Sequence, residues 1–261
     1  MNDQLFSVYD HVILVSGGSR GIGRAIAQGF ADRGAKVVIT GRDKDTLEAT
    51  AAEISTGEFD VVAKVCDVSY RQVIDTTVQE VIEQFQRIDT LVNVAGVNRR
   101  KPTMDVSEDD YDFVMDINLK GAFLLSKAVG RQMIRQTSGS QINIASLNTD
   151  RPLKNVLPYA MSKSAMGHMT RGLALEWGQF GVRVNALAPG FILTDLTQKM
   201  WSDETMQTWG KANTPQRRLG QPKDMVGTAI FLASEASAFM TGQILYVDGG
   251  FTAGWAWPIP E

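Results

Sequence analysis

Short apolar runs, rich in β-branched residues, alternate with longer amphipathic stretches from one end of the chain to the other. The runs at His11–Ser16, Lys36–Thr40, Asp60–Val65, Thr90–Val94, Gln141–Ala145, Val182–Leu187 and Gln243–Val247 are continuously apolar rather than strictly alternating. That is the pattern of strands buried on both faces. Between them, Ile22–Arg33, Thr46–Ile54, Arg71–Phe85, Glu108–Gln136, Tyr159–Phe180 and Lys223–Ala233 have the length and periodicity of helices. Ser107 followed by Glu108, Asp109 and Asp110 reads as an N-cap with an acidic first turn, and Pro222 with Asp224 marks another helix start. Strand–helix alternation of this kind predicts an α/β fold: a doubly wound, seven-stranded parallel sheet with helices on both faces.

No Pro/Ser-rich linker, charge run or low-complexity tract divides the 261 residues, so one domain is expected over 1–261. The rhythm breaks once, at about 190–221, where helical pieces occur without a strand. An insertion that follows the C-terminal end of a strand sits where ligands bind in such sheets, and it reads as a substrate lid. The tail at 251–261 carries Trp255 and Trp257 and is unusually aromatic for an exposed end; docking on a neighbouring subunit would cover it.

Composition narrows the function classes. The single cysteine, Cys66, excludes an internal disulfide framework and suits a reducing cytosol. A net charge of −3 with scattered basic residues argues against nucleic acid or an anionic membrane as partner. The first residues lack the pattern of a signal peptide, and no apolar run approaches the ~20 residues of a spanning helix, so a cytoplasmic protein is expected. No metal site is expected.

Candidate chemistry begins directly after the first strand, at Ser16-Gly17-Gly18-Ser19-Arg20-Gly21-Ile22-Gly23. Glycines at 17, 21 and 23 allow a tight turn and close approach to a pyrophosphate, while the following helix offers free amides and its positive dipole end. Gly17 to Gly21 also satisfies the G-x-S-x-G of a serine-hydrolase elbow. That reading requires a histidine base, and neither His11, a strand length away, nor His168, inside a helical stretch, is suitably placed. Further on, Tyr159 and Lys163 stand four apart on a predicted helix and so share a face. A free tyrosine titrates at about 10, and an adjacent ammonium favours the phenolate. Ser146 closes the fifth strand, within reach of a substrate oxygen, and Asn118 is placed to join a proton path behind the lysine.

The order of these motifs resembles the short-chain dehydrogenase/reductase family over almost the whole chain. Gly17-x-x-x-Gly21-x-Gly23 is followed by Asp67-Val68, Asn93-Val94-Ala95-Gly96, Asn118, Ser146, Tyr159, Lys163, Pro189-Gly190 and Val247-Asp248-Gly249-Gly250. The resemblance implies a Rossmann fold and hydride transfer to or from a nicotinamide, catalysed by Ser146, Tyr159, Lys163 and Asn118. Tyr159 would exchange the proton at the alcohol or carbonyl oxygen and Ser146 would orient that oxygen. Lys163 would hold the ribose hydroxyls and lower the Tyr159 pKa, and Asn118 would anchor a water. It also implies that Ser19 and Ile22 in the glycine loop, with Asn93, Ala95 and Gly96, line the cofactor. Asp67 and Val68 would flank the adenine, and Ile192 and Thr194, after Pro189 and Gly190, would hold the carboxamide. Val94 departs from the family pattern, which usually repeats asparagine there. A homotetramer is the family's common assembly.

Gly41 stands where members selecting NAD carry an acid. Arg42 after it and Arg20 in the glycine loop are a pair suited to clamping a 2′-phosphate, which favours NADP. NAD stays open, because Asp43 would reach a 2′-hydroxyl if the strand ended later. The opening residues, the Asn98-Arg99-Arg100-Lys101-Pro102 loop and Thr214-Pro215-x-x-Arg218 resemble gluconate 5-dehydrogenases and related sugar-acid or polyol dehydrogenases. Arg100, ahead of Arg99, is a partner for a substrate carboxylate, although a solvated basic loop is the plainer reading. Asn148, Arg151 and Phe191, with Leu196 and Trp201, are further candidates for the small-molecule pocket. Two rivals stand beside a sugar-acid dehydrogenase. A 3-oxoacyl-carrier-protein reductase would want a basic mouth from Arg99, Arg100, Arg131 and Arg135, and a non-catalytic cofactor sensor would not need Ser146, Tyr159 and Lys163.

Overall fold

The computed structural model describes residues 4–55, 59–195 and 197–254, so Leu196 and the two tail tryptophans lie outside the described residues. The chain opens with β1 (Val12–Ser16), α1 (Gly21–Ala31), β2 (Lys36–Gly41), α2 (Lys44–Ile54), β3 (Val62–Val65), α3 (Arg71–Phe85) and β4 (Thr90–Asn93). It continues through α4 (Glu108–Met115), α5 (Ala122–Gln136), β5 (Gly139–Ile144), α6 (Leu157–Trp177) and β6 (Val182–Pro189). The last elements are α7 (Gln198–Trp201), α8 (Glu204–Asn213), α9 (Val226–Ala233) and β7 (Ile244–Val247). All seven strands pair in parallel in the order β3-β2-β1-β4-β5-β6-β7. The order reverses between β1 and β4, which opens a crevice at their carboxyl ends.

Side chains alternate across each strand, so a continuous apolar run feeds two cores at once. In β1, Ile13 and Val15 pack with Ile26 and Phe30 of α1 and Ile39 of β2. Val12 and Leu14 join Val78 of α3 and Val129 and Met133 of α5 on the opposite face. The expected α4 start is present as a full capping box: Ser107 Oγ accepts from Asp110 N at 3.1 Å, and Asp110 returns the bond to Ser107 N at 3.2 Å.

The long helix expected over Glu108–Gln136 differs in its middle. Residues Asp116–Gly121 form a π-helical turn between α4 and α5, and it carries Asn118. Close packing accompanies it: a Cβ on Gly121 would lie 2.7 Å from Val68 O, and the Asn118 side chain reaches out to Val97. Such turns insert a residue into the helical ladder and are common at functional sites.

Among the described residues of 190–221, the helices α7 and α8 are accompanied by one bridge and no strand. Ile192 and Gly220 form that parallel bridge, reinforced by Leu193 N to Gly220 O at 2.9 Å and Gly220 N to Phe191 O at 2.8 Å. The excursion through α7 and α8 is thus closed at its base. Phe191 is its hub, with ring centroids 5.3 Å from Trp201, 5.5 Å from Trp209 and 4.7 Å from Phe251.

Candidate active site

A cavity of about 590 Å³ occupies the crevice at the carboxyl ends of the strands, within the usual size of a ligand site. One wall is the glycine loop. Gly17 and Gly21 adopt positive φ (75° and 53°), where other residues are strained. A Cβ on Gly17 would lie 2.7 Å from Ala95 N, and one on Gly23 would overlap the Gly17 carbonyl. At Gly21 the nearest atoms to such a Cβ belong to Thr194, at 3.5 Å, so a side chain there would project into the cavity itself. No side chain caps α1 and its first turn holds no acidic residue, which leaves the helix N-terminus available to an anion. The loop is therefore shaped for a phosphate-bearing cofactor.

Ser19, Arg20, Ile22, Gly41, Arg42, Asp67 and Val68 line the outer end of the cavity. β2 ends at Gly41, and Asp43 is engaged as the cap of α2, accepting from Thr46 N at 2.8 Å. That commits one Asp43 oxygen to the α2 cap, and the charged side chains lining this end are the exposed Arg20 and Arg42 beside Asp67. Asp67 is itself turned to Ser69, accepting from its N at 2.9 Å and its Oγ at 2.6 Å.

The inner end holds Ala95, Gly96, Ser146, Tyr159, Lys163, Pro189, Gly190, Ile192 and Thr194. Ser146 begins a 3-10 turn after β5, and its Oγ accepts from Asn148 N at 3.1 Å and Asn148 Nδ2 at 3.4 Å. Those bonds leave the Ser146 proton free to be donated. Tyr159 and Lys163 share one face of α6, with Nζ 5.7 Å from the Tyr159 ring centre. Burial raises the Tyr159 hydroxyl above its ordinary value, opposed by a hydrogen bond with Ser146 and by the charge of Arg100. Burial pushes Lys163 down to about 8.

This differs from the expected division of labour. The Lys163 ammonium gives one of its three donor hydrogens to the Ile144 carbonyl, with Nζ 2.6 Å from the oxygen, and the downward pull on Tyr159 comes from Ser146 and Arg100. Nor does Asn118 face the cavity. Its Oδ1 accepts from Val97 N at 2.7 Å, and its Nδ2 donates to Val97 O at 2.9 Å and Ser162 Oγ at 3.1 Å. It braces the floor under Gly96 by its side chain.

Other expected residues also take structural positions. Asn93 turns into the core, donating to Ser126 Oγ and Asn143 Oδ1, both at 2.9 Å, because a buried amide at a central strand end needs partners. Gly23 serves close packing rather than the cavity wall. Asn148 stands behind Ser146 and accepts from Leu153 N at 3.0 Å. Arg151 is half-exposed and pairs with Asp150 at 3.5 Å, away from the cavity. Phe191 lines a second cavity of about 450 Å³ that shares Ile192 with the first. Neither histidine lines the main cavity, so the hydrolase arrangement is not assembled.

Several wall residues escaped the sequence reading, among them the apolar Val97, Ile117, Ile144 and Ala145. Cys66, Asp195 and Thr197 line the cavity, and Thr197 Oγ1 organises the segment by accepting from Thr194 N at 3.0 Å and donating to Ile192 O at 2.6 Å. The motif Thr194-x-x-Thr197 was the only available signal, an ordinary hydroxyl turn.

Comparison with known proteins agrees with this geometry. A family model described as enoyl-(acyl carrier protein) reductase matches residues 17–252. Gluconate 5-dehydrogenase of Gluconobacter oxydans is 37% identical over 248 residues, covering 95% of this chain and 97% of that protein. The 2-dehydro-3-deoxy-D-gluconate 5-dehydrogenase of Pseudoalteromonas atlantica is 40% identical over 94% of this chain and 97% of its own. Among solved structures, a gluconate 5-dehydrogenase of Burkholderia cenocepacia in complex with NADP and tartrate superposes with a TM-score of 0.93. It is 35% identical and covers 97% of this chain and 99% of that one. With its motifs in order, its parallel sheet and its relatives matched nearly end to end, this chain belongs to the short-chain dehydrogenase/reductase family.

Proposed function

We propose that the protein is an NADP-linked oxidoreductase that interconverts a secondary hydroxyl and a ketone on a sugar acid or polyol. The observation that carries this reading is that one cavity holds both the glycine cradle and the Ser146, Tyr159 and Lys163 side chains. The glycine loop and the open end of α1 would bind the pyrophosphate, Arg20 and Arg42 the 2′-phosphate, and Asp67 and Val68 the adenine side. Ala95, Gly96 and the Pro189–Thr194 turn would hold the nicotinamide end, with Lys163 on the ribose. Bound there, the nicotinamide supplies or accepts the hydride.

The chain's own part is proton control. In the reducing direction the Tyr159 hydroxyl, kept protonated by burial, gives its proton to the substrate oxygen. In the oxidising direction the same oxygen takes it back. Ser146 donates to the substrate oxygen and holds it in line, because Asn148 already satisfies the serine as an acceptor. Asn118 keeps the loop after β4 in place beneath both. Arg100 is not part of the main cavity wall, but it carries no salt bridge among the described residues and its charge acts on the Tyr159 hydroxyl, which supports a role in pairing with a substrate carboxylate. The segment at 190–221 acts as the lid over that end.

The carrier-protein reductase reading is weaker, because the basic mouth it needs is partly spent: Arg99 is paired with Asp110. We infer a homotetramer in the cytoplasm. Exposed Phe123 on α5 and Met161 and Leu175 on α6 form an apolar face suited to a second subunit, and among the described residues no helix is long and apolar enough to cross a membrane. Sedimentation would report the assembly.

The deciding assay follows absorbance at the reduced-nicotinamide band with NADP or NAD and a panel of sugar acids and polyols, beside acetoacetyl thioesters with reduced cofactor. Turnover of gluconate-like substrates with NADP is expected. Reduction of thioesters alone would transfer the function to the carrier-protein class. Replacement Tyr159→Phe should remove turnover and leave cofactor binding in place; retained turnover would refute the proton assignment and favour another acid.

A further inference from the structure

Three cations follow one another at Arg99, Arg100 and Lys101, and the structure treats them differently. Arg99 Nη1 lies 2.9 Å from Asp110 Oδ1, and Lys101 Nζ lies 2.5 Å from Asp110 Oδ2, so each carboxylate oxygen holds one of the flanking cations. Asp110 is 4% exposed and is fixed in turn by the α4 capping box. The Arg99 guanidinium also stacks 4.0 Å from the Phe113 ring centre. On the far side, Lys101 N donates to Asn155 O at 3.0 Å, which ties the loop to the turn that leads into α6 and Tyr159. At its near end, the loop is held through Val97 by Asn118. Arg100, between the two clamped residues, is the one cation of the three without a salt bridge among the described residues.

We infer that Asp110 is a positioning residue for substrate recognition: by clamping Arg99 and Lys101 it fixes both side chains, offsets one of their two charges, and presents Arg100 to the substrate's carboxylate. The inference rests on the reading of Arg100 given above. Its physical basis is twofold. Three adjacent like charges repel and would splay an unclamped loop, and two anchored neighbours lower the entropy that Arg100 loses on pairing. A short buried carboxylate with both oxygens engaged achieves both at once.

The test is a double-mutant cycle in steady-state kinetics at saturating NADP, with the sugar acid turned over by the wild-type enzyme. Asp110→Asn should raise KM by about tenfold and change kcat by less than about threefold. NADPH affinity, read by fluorescence, should be unchanged. In an Arg100→Ala background the same substitution should raise KM no further, because the group being positioned is gone. Arg99→Gln combined with Lys101→Gln, which leaves the α4 cap intact, should raise KM as well. The inference is overturned if Arg100→Ala raises KM while Asp110→Asn does not, or if the two effects simply multiply, since a general loss of structure would act in both backgrounds. If Arg100→Ala itself leaves KM unchanged, the carboxylate reading of Arg100 fails, and the role given to Asp110 fails with it.

Discussion

Replacing Gly41 by Asp should move the enzyme from NADP towards NAD, and the structure allows the size of the effect to be worked out. Gly41 is the last residue of β2, lines the outer end of the cavity and does not adopt a positive φ. A Cβ built on it meets Leu47 Cδ2 at 3.5 Å, an ordinary contact, so the substitution costs little in packing. The introduced carboxylate would stand beside Arg20 and Arg42 and face the 2′-phosphate. Two unit charges ~4 Å apart interact by about 1 kcal/mol in bulk water and about 4 kcal/mol at an effective dielectric of ~20. Both arginines are exposed, so the lower half of that range applies, and about 2 kcal/mol is expected, or about 30-fold in kcat/KM for NADP. With NAD the carboxylate instead accepts from the 2′-hydroxyl, so its kcat/KM should rise or hold. The assay is initial rate against each cofactor at low and moderate salt, where the NADP penalty should shrink as salt rises. Parallel losses with both cofactors would refute the phosphate-clamp argument and mark Gly41 as a packing position only.

Three further expectations concern the inner site. Lys163→Met should abolish turnover and yet stabilise the fold: its folded pKa of about 8 lies below the ordinary lysine value of 10.5, so the buried ammonium penalises the native state fully below pH 8 and progressively less towards 10.5. The penalty is on the order of 3 kcal/mol, reduced by loss of the bond to Ile144 O, so melting should rise by several degrees at pH 7 and by less near pH 10; a lower melting temperature at pH 7 would contradict it. Ser146→Ala should cut kcat by about 10²-fold or more with little change in cofactor affinity, and an effect confined to KM would reassign the serine to substrate binding. Phe191→Ala removes the hub of the aromatic cluster and should destabilise by about 3–5 kcal/mol, measured by denaturant unfolding; a loss under about 1 kcal/mol would show that the cluster collapses to fill the gap.

What was legible in the sequence was whatever depends on local order. The seven strands appear in the structure within a few residues of the apolar runs; the five inner ones are apolar on both faces because both are covered, whereas the edge strands β3 and β7 are only partly buried. The glycine loop and the Tyr159–Lys163 pair are likewise short-range: their chemistry follows from spacing along one turn or one helix. Family order then placed Ser146 and Pro189–Gly190 around them, and all line one cavity.

Long-range contacts decided the rest. Asn93 is expected at the cofactor by family resemblance and Asn148 in the pocket by its place just beyond Ser146, yet each has a nearer partner in the fold, Ser126 and Asn143 for the one and Ser146 and Leu153 for the other. The helix through Asn118 contains Gly121, which weakens a helical reading without placing a π turn, and its packing against Val68 and Val97 is what marks that turn. The charges of Arg99, Arg100 and Lys101 are equivalent along the chain and become distinct only when α4 brings Asp110 beneath two of them. Local pattern therefore determined which elements form and which chemistry they carry. Which polar group is spent inside the protein and which is left for a ligand was decided by tertiary structure, because a hydrogen bond or ion pair is claimed by whichever partner folding brings within reach.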